Sequence, residues 1–192
     1  MAEKMTRRTF LKTTGFAVLA VAAAGALEGC GGLSPVPGNP TLPEVKGTAQ
    51  TQNYLIGLGA LTGQWTSNPL YETDQKSHNY LYTGLYLSNN SSSDITFSTS
   101  SFTCTFGADT SMKVRCLGSN IALNSESTAY SFQNTLTLKS GDSKTYPLYI
   151  DLGSTSFSSL VGTPVTIKVT AAGQTVTFKY ASPNDDTPTY SN

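Results

Sequence analysis

Few residues in this 192-residue chain can do chemistry, and their spacing limits what that chemistry is. There are three cysteines and one histidine. Cys104 and Cys116 sit within neighbouring alternating apolar runs, a pattern that suits either a disulfide between adjacent strands or two buried reduced thiols. A bridge closing so short a loop would contribute about 3 kcal/mol by chain-entropy arguments. Two thiols at this spacing lack further metal ligands, and the only imidazole is His78. His78 lies in the polar stretch 73–79, where a lone histidine is expected on the surface. A Ser–His–Asp triad would need it, yet the sequence contains no Gly-x-Ser-x-Gly elbow. The His-Glu-x-x-His zinc motif and the phosphate-cradling glycine loop are also missing from the sequence. Asp142 and the pair Asp185 and Asp186 are candidate calcium contacts, expected instead to be solvated. No catalytic residue, metal or cofactor is assigned, and no enzyme is expected.

Aromatic residues offer a different chemistry. Alternation over residues 80–87 places Tyr80, Tyr82 and Tyr86 on one strand face, with Leu81, Thr83, Leu85 and Leu87 on the other. Trp65 lies upstream. These four rings form either a flat platform on which sugars stack or a layer packed beneath a covering loop. Only exposed rings would support the first reading.

The most specific motif is at the N-terminus. Thr6, Arg7, Arg8, Thr9, Phe10, Leu11 and Lys12 resemble a twin-arginine export signal, with Arg7, Arg8, Phe10, Leu11 and Lys12 in register. Residues 15–26 are apolar but too few to cross a hydrocarbon core, which needs about 20 residues, so they read as a signal core. Leu27-Glu28-Gly29-Cys30 resembles a lipobox, which predicts cleavage after residue 29 and acylation of Cys30, although Glu28 departs from the pattern. The competing site follows Ala24-Gly25-Ala26 and would release a secreted protein. Two or three acyl chains on Cys30 would hold the product stably on a bilayer.

Positioning such groups is a matter of fold, and composition points to sheet. Ser and Thr make up 51 of the 192 residues, which favours half-exposed strands over helix. Charged residues are 12%, against about 25% for an average domain, and the formal net charge is zero. No basic surface for nucleic acid is therefore expected. Residues 30–50 form a Pro-rich tether that at about 3.1 Å per residue could span roughly 60 Å. Residues 51–180 carry the folded domain, and the polar tail 181–192 is expected to fray. Within the domain, alternating runs begin near Ile95, Phe102, Met112, Leu136, Tyr146, Val165 and Val176. A bulge is expected at residues 99–101, a short helical turn within 154–161, and a hairpin through Ala171, Ala172, Gly173 and Gln174. With no sustained 3.6-residue period, seven to nine short strands predict an all-β, two-sheet antiparallel sandwich.

The strand ending Leu87-Ser88-Asn89-Asn90 and the runs Asp94-Ile95-Thr96-Phe97 and Ser101-Phe102-Thr103 carry a resemblance. So does Leu138-Lys139-Ser140-Gly141-Asp142-Ser143-Lys144 leading into Tyr149-Ile150-Asp151-Leu152. Together they resemble an immunoglobulin-like domain family of unknown function found behind bacterial lipoprotein signals. The resemblance implies an immunoglobulin-like fold and transfers no catalytic residue. The expected product is a cell-envelope lipoprotein, on the bilayer through Cys30, whose domain binds an envelope protein or a glycan without catalysis. The alternatives are carbohydrate binding through the Trp65 and tyrosine face, and a structural subunit assembled through strand edges.

Overall fold

The computed structural model describes residues 40–108, 110–117, 122–123 and 129–191. The export motif at Arg7, Arg8, Phe10, Leu11 and Lys12, the acylation candidate Cys30 and the first part of the tether lie outside these residues, as does the side chain of Cys116. Among the described residues no helix is long and apolar enough to cross a membrane.

Strands form where branched and aromatic residues alternate with Ser, Thr and Lys. One sheet runs in the antiparallel order β2 (Tyr54–Leu58), β4 (Asn79–Asn89), β11 (Ser143–Gly153) and the second half of β7 (Thr110–Leu117). A second continues from the first half of β7 through β6 (Phe102–Phe106), β12 (Val165–Ala171) and β13 (Gln174–Tyr180). Strand β7 serves both: Thr110 to Met112 pair with β6, and Lys113 to Leu117 pair with β11. If β2, β4, β6, β7, β11, β12 and β13 are lettered A to G, the sheets are ABED and CFG, which is the immunoglobulin arrangement. The protein is thus an all-β, immunoglobulin-like antiparallel sandwich.

Seven further segments are short, which is why the sequence pattern predicts only seven to nine strands. They are β1 (Ala49–Gln50), β3 (Gly63–Thr66), β5 (Ile95–Ser98), β8 (Ala122–Leu123), β9 (Tyr130–Ser131), β10 (Thr135–Leu138) and β14 (Thr189–Ser191). Strands β1 and β14 lie along the outer edges of β2 and β13, β3 pairs with the start of β4, and β5 pairs with β10. The inner faces of the two sheets meet in one apolar cluster, with Leu81, Leu85 and Ile150 on one side and Ile167, Val169 and Phe178 on the other, each fully buried.

Residues 99–101 form a 3₁₀ turn, not a bulge, closed by the Ser98 amide donating to Ser101 Oγ at 3.1 Å. That turn sends β5 and β6 into different ladders. The tail does not simply fray: after Tyr180 the Ala181 and Ser182 amides donate to Asp185 Oδ2, and the chain returns as β14. Folded structure also begins before residue 51, at β1. The predicted bridge between Cys104 and Cys116 fails on register. Met112 stands opposite Cys104, so Cys116 is four residues further along β7, roughly 13 Å at strand rise. A disulfide needs Cα atoms about 4.4–6.8 Å apart. Cys104 is a free, buried thiol.

Candidate functional site

The outer face of the first sheet carries a closely packed group of titratable side chains: Glu72, Asp74, His78, Tyr80, Arg115 and Asp151. Tyr80 and Asp151 face each other across β4 and β11. Tyr80 donates its phenol proton to Glu72 Oε1 at 2.8 Å, and burial, then that carboxylate, pushes the phenol's pKa up. Glu72 is itself buried, with Arg115 Nη2 3.9 Å from its other oxygen. The Arg115 guanidinium lies 4.5 Å over the ring of Phe132, a cation–π contact.

His78, the residue before β4, is the hinge of this group. Its Nδ1 lies 3.0 Å from Asp151 Oδ1 and its Nε2 3.0 Å from Asp74 Oδ2. Asp151 Oδ1 also accepts from the Gly153 amide at 2.8 Å, and Ser67 Oγ accepts from the His78 amide at 2.9 Å. The histidine expected at the surface is half-buried, with 18% of its side chain exposed and both ring nitrogens bonded. Burial works against its charged form, but hydrogen bonds to Asp74 and Asp151 and the charges of Asp151 and Glu72 outweigh it, so its pKa is raised. The bond to His78 in turn lowers that of Asp74. A ring with a carboxylate on each nitrogen offers no free lone pair to abstract a substrate proton. Its geometry is that of a clasp holding the 67–78 loop to the end of β11.

The predicted aromatic face exists, but not as a platform. Trp65 stacks on Tyr80 at 4.9 Å and meets Tyr130 edge-on at 5.3 Å. Trp65 keeps only 9% of its surface and Tyr80 1%, while Tyr82 and Tyr86 are half-buried. Trp65, Tyr80 and Tyr130 form a second apolar cluster with Tyr149, and Tyr82 packs against it, so the predicted rings do not lie together as one exposed face. Beside it lies a shallow cleft of about 260 Å³ between Trp65, Tyr80, Leu152 and Phe157. Its polar rim is largely self-satisfied: Thr66 donates to Asn79 Oδ1 at 2.9 Å, Asn79 to the Thr155 carbonyl at 3.0 Å, and the hydroxyls of Ser156 and Ser158 lie 3.1 Å apart.

The opposite end of the sandwich is organised around Asn89, the last residue of β4. Asn89 is buried; its Nδ2 donates to the carbonyls of Ser93 (2.8 Å) and Leu138 (3.0 Å), and its Oδ1 accepts from the Ser91 amide (2.9 Å) and hydroxyl (2.8 Å). The Asn89 backbone exchanges bonds with Asp142 and Gly141, and Ser140 Oγ donates to the Ser91 carbonyl at 2.7 Å. Next to it, Asn90 donates to the Asn53 carbonyl at 2.9 Å, and the Asn53 amide to Gln174 Oε1 at 3.1 Å. The turns at 89–94, 139–142 and 171–174 thus form one continuous polar surface. Among the calcium candidates, Asp185 is spent on backbone amides and Asp186 on Lys46, and no group of His, Cys, Asp or Glu side chains that could hold a metal ion occurs among the described residues.

No family model matches the sequence, and no curated protein matches it. Two solved structures show similarity. One is the Bacillus subtilis protein ycdA, assigned as a lipoprotein: 14% identity over 72% of this chain and 39% of that one, with a TM-score of 0.44. This chain spans well under half the length of that protein. The other is an uncharacterized β-sandwich protein from Clostridium difficile 630: 11% identity over 76% of this chain and 98% of that one, with a TM-score of 0.40.

Proposed function

We propose that this protein is a cell-envelope lipoprotein, exported on the signal around Arg7 and Arg8, anchored through acylated Cys30, and working as a non-catalytic module that engages an envelope protein through its turn end. The observation that carries the reading is the Asn89 network. It ties the 89–94 turn to the 139–142 turn, and the bonds from Asn90 to Asn53 and from Asn53 to Gln174 extend it to the 171–174 turn; a surface that is ordered before binding loses little entropy on binding. Loops placed by a rigid sandwich are the usual seat of recognition in this architecture. The occupied nitrogens of His78 support a non-catalytic role, and the burial of Trp65 and Tyr80 weighs against a glycan as the partner.

Two experiments test the proposal. Intact mass of protein extracted from its native membrane is expected to show a diacyl or triacyl adduct on a chain beginning at Cys30; an unmodified chain beginning near Leu27 would make it a secreted protein. A photoreactive residue in place of Ser92 is expected to give one discrete adduct in intact cells, and the same residue in place of Ser158 none. Equal labelling from both positions would remove the turn end as the recognition surface.

A further inference from the structure

Glycine weakens a strand interior and packs nothing, so several together usually mark the close approach of another backbone. Gly57 on β2, Gly59 just beyond it and Gly84 on β4 form a strip on the outer face of the first sheet, with the Gly59 amide donating to the Gly84 carbonyl at 3.0 Å. A methyl carbon at Gly57 would lie 2.5 Å from Val45 Cγ1 and 2.6 Å from the Gly47 carbonyl oxygen. At Gly59 it would stand 2.7 Å from the Pro43 carbonyl oxygen, and at Gly84 2.6 Å from the same atom. The strip is the floor of a channel filled by residues 43–48. The C-terminal segment lies against the same stretch: Asp186 is paired with Lys46, and the Tyr190 ring comes within 3.4 Å of the space a side chain on Gly47 would take.

Register gives the channel a direction. Strand β1 runs antiparallel to β2, with Ala49 opposite Ile56 and Gln50 opposite Leu55. Pro43 is level with Gly59 and Val45 with Gly57, so the segment runs from the His78 end toward the turn end. Its N-terminal side therefore leaves toward the loops that expose Leu70 (77%) and Val161 (47%).

We propose that the glycine channel is the seat of the protein's own tether, taken up in cis, and that it orients the domain with the Leu70 and Val161 end toward the bilayer and the Asn89 end away from it. The seat stands on the close approaches alone; the orientation rests also on the reading of Cys30 as the anchor. The chain between Cys30 and the seat is then residues 31–42, whose reach at about 3.1 Å per residue would be at most about 37 Å.

Trypsin tests the seat on the full chain, because Lys46 lies within it. Cutting after Lys46 in the native protein is expected to be at least tenfold slower than in the urea-unfolded chain, and Gly84→Val is expected to remove that protection. Native cutting at the unfolded rate would overturn the seat whether or not the variant folds. Sedimentation of the native protein as a dimer that exchanges this segment would overturn the cis arrangement.

Orientation is read on acylated protein in phosphatidylethanolamine–phosphatidylglycerol vesicles carrying a headgroup quencher. A fluorophore placed at Ser158 is expected to be quenched several-fold more than one at Ser92. The reverse order, or equal quenching, would overturn the orientation. Loss of the protein from the vesicles in a high-salt wash would overturn the anchor and the orientation together, and leave the seat standing on the trypsin result.

Discussion

At the scale of single residues, His78 carries a pH signature whose sign is fixed by its neighbours. Its pKa is raised in the folded state, so its stabilising contribution is complete below about 6.5, the unfolded value, and is lost as pH rises through the folded value. Asp74 is lowered, so its share is present above its unfolded value near 4 and lost as pH falls through the folded one. The clasp is therefore strongest between roughly pH 4 and 6.5. His78→Gln is expected to destabilise by about 1.5–3 kcal/mol at pH 6, the usual worth of hydrogen bonds to a charged group, and by clearly less at pH 9. Melting curves of both proteins at the two pH values check this, and equal losses would show that the ring is not held as a cation. Cys104 is the other residue with a clear expectation, because burial pushes its pKa up to about 12. At pH 8 on the order of one thiol in ten thousand is then ionised, so alkylation in the native state should be negligible. Peptide mapping should find Cys104 modified only after unfolding, and reduction should leave the intact mass unchanged. A gain of 2 Da would restore the bridge. Neither environment was readable beforehand. Alternation shows that Cys104 points inward, but not that Met112 faces it, and no local pattern joins His78 to Asp151 across 73 positions of chain.

At the scale of elements, local chemistry was a good guide wherever one turn joined two strands. The hairpin of β12 and β13 is the clearest case: Val165 pairs with Tyr180 and Ala171 with Gln174, as the alternation predicts. Its two central residues both have positive φ, Ala172 at 49° and Gly173 at 73°, which is the type I′ form that matches strand twist. Alanine is strained there by about 1–2 kcal/mol, since its Cβ crowds the following carbonyl. Replacing it with Asn gives the preferred Asn-Gly pair, and the bond from Asn53 Nδ2 to the residue 172 carbonyl does not involve the side chain. Ala172→Asn is expected to stabilise by about 1 kcal/mol and raise the melting temperature by roughly 2–4 °C. An unchanged or lower value would mean that the turn is not of this type. Pattern misled where pairing was non-local. Residues 95–106 read as one interrupted strand because a bulge at 99–101 would absorb the one-residue phase shift between Ile95 and Phe97 and the run Phe102, Cys104 and Phe106. Only the partners, β10 for the first half and β12 for the second, divide them between ladders. The aromatic face failed in a related way: Tyr80 does point away from the main core, but Trp65 on β3 and Phe132 just after β9 pack on its ring, with Tyr130 on β9 against both of them.

At the scale of the whole molecule, the sandwich depends on how its borders are closed. One strand, β7, joins the two sheets on one side, so the open edges are on the other, along β2 and β13. Unpaired edges invite pairing with another chain, and natural sheets blunt them with short edge strands. Here β1 covers Leu55 and Ile56, and β14 covers Thr177, Phe178 and Lys179. The stretches leading into these two strands meet each other through Lys46 and Asp186, so the two segments together close the open side of the sandwich. An exposed ion pair contributes little by itself, and the backbone ladders and the Tyr190 ring against Phe178 must carry most of the closure. Such an arrangement works against assembly through strand edges, and it predicts what removing one cover would do. Deleting residues 187–192 takes away β14 and Tyr190 and leaves the outer edge of β13 unpaired at Thr177, Phe178 and Lys179. The shortened protein is expected to self-associate at concentrations where the full chain sediments as a monomer, and to be cut faster after Lys46 because one wall of the tether channel is gone. Both effects should appear together, since one segment supplies both contacts. A truncated protein that stays monomeric at about 200 μM and keeps its Lys46 protection would show β14 to be a passive tail, and closure of that side would then fall to β1 and the glycine channel alone.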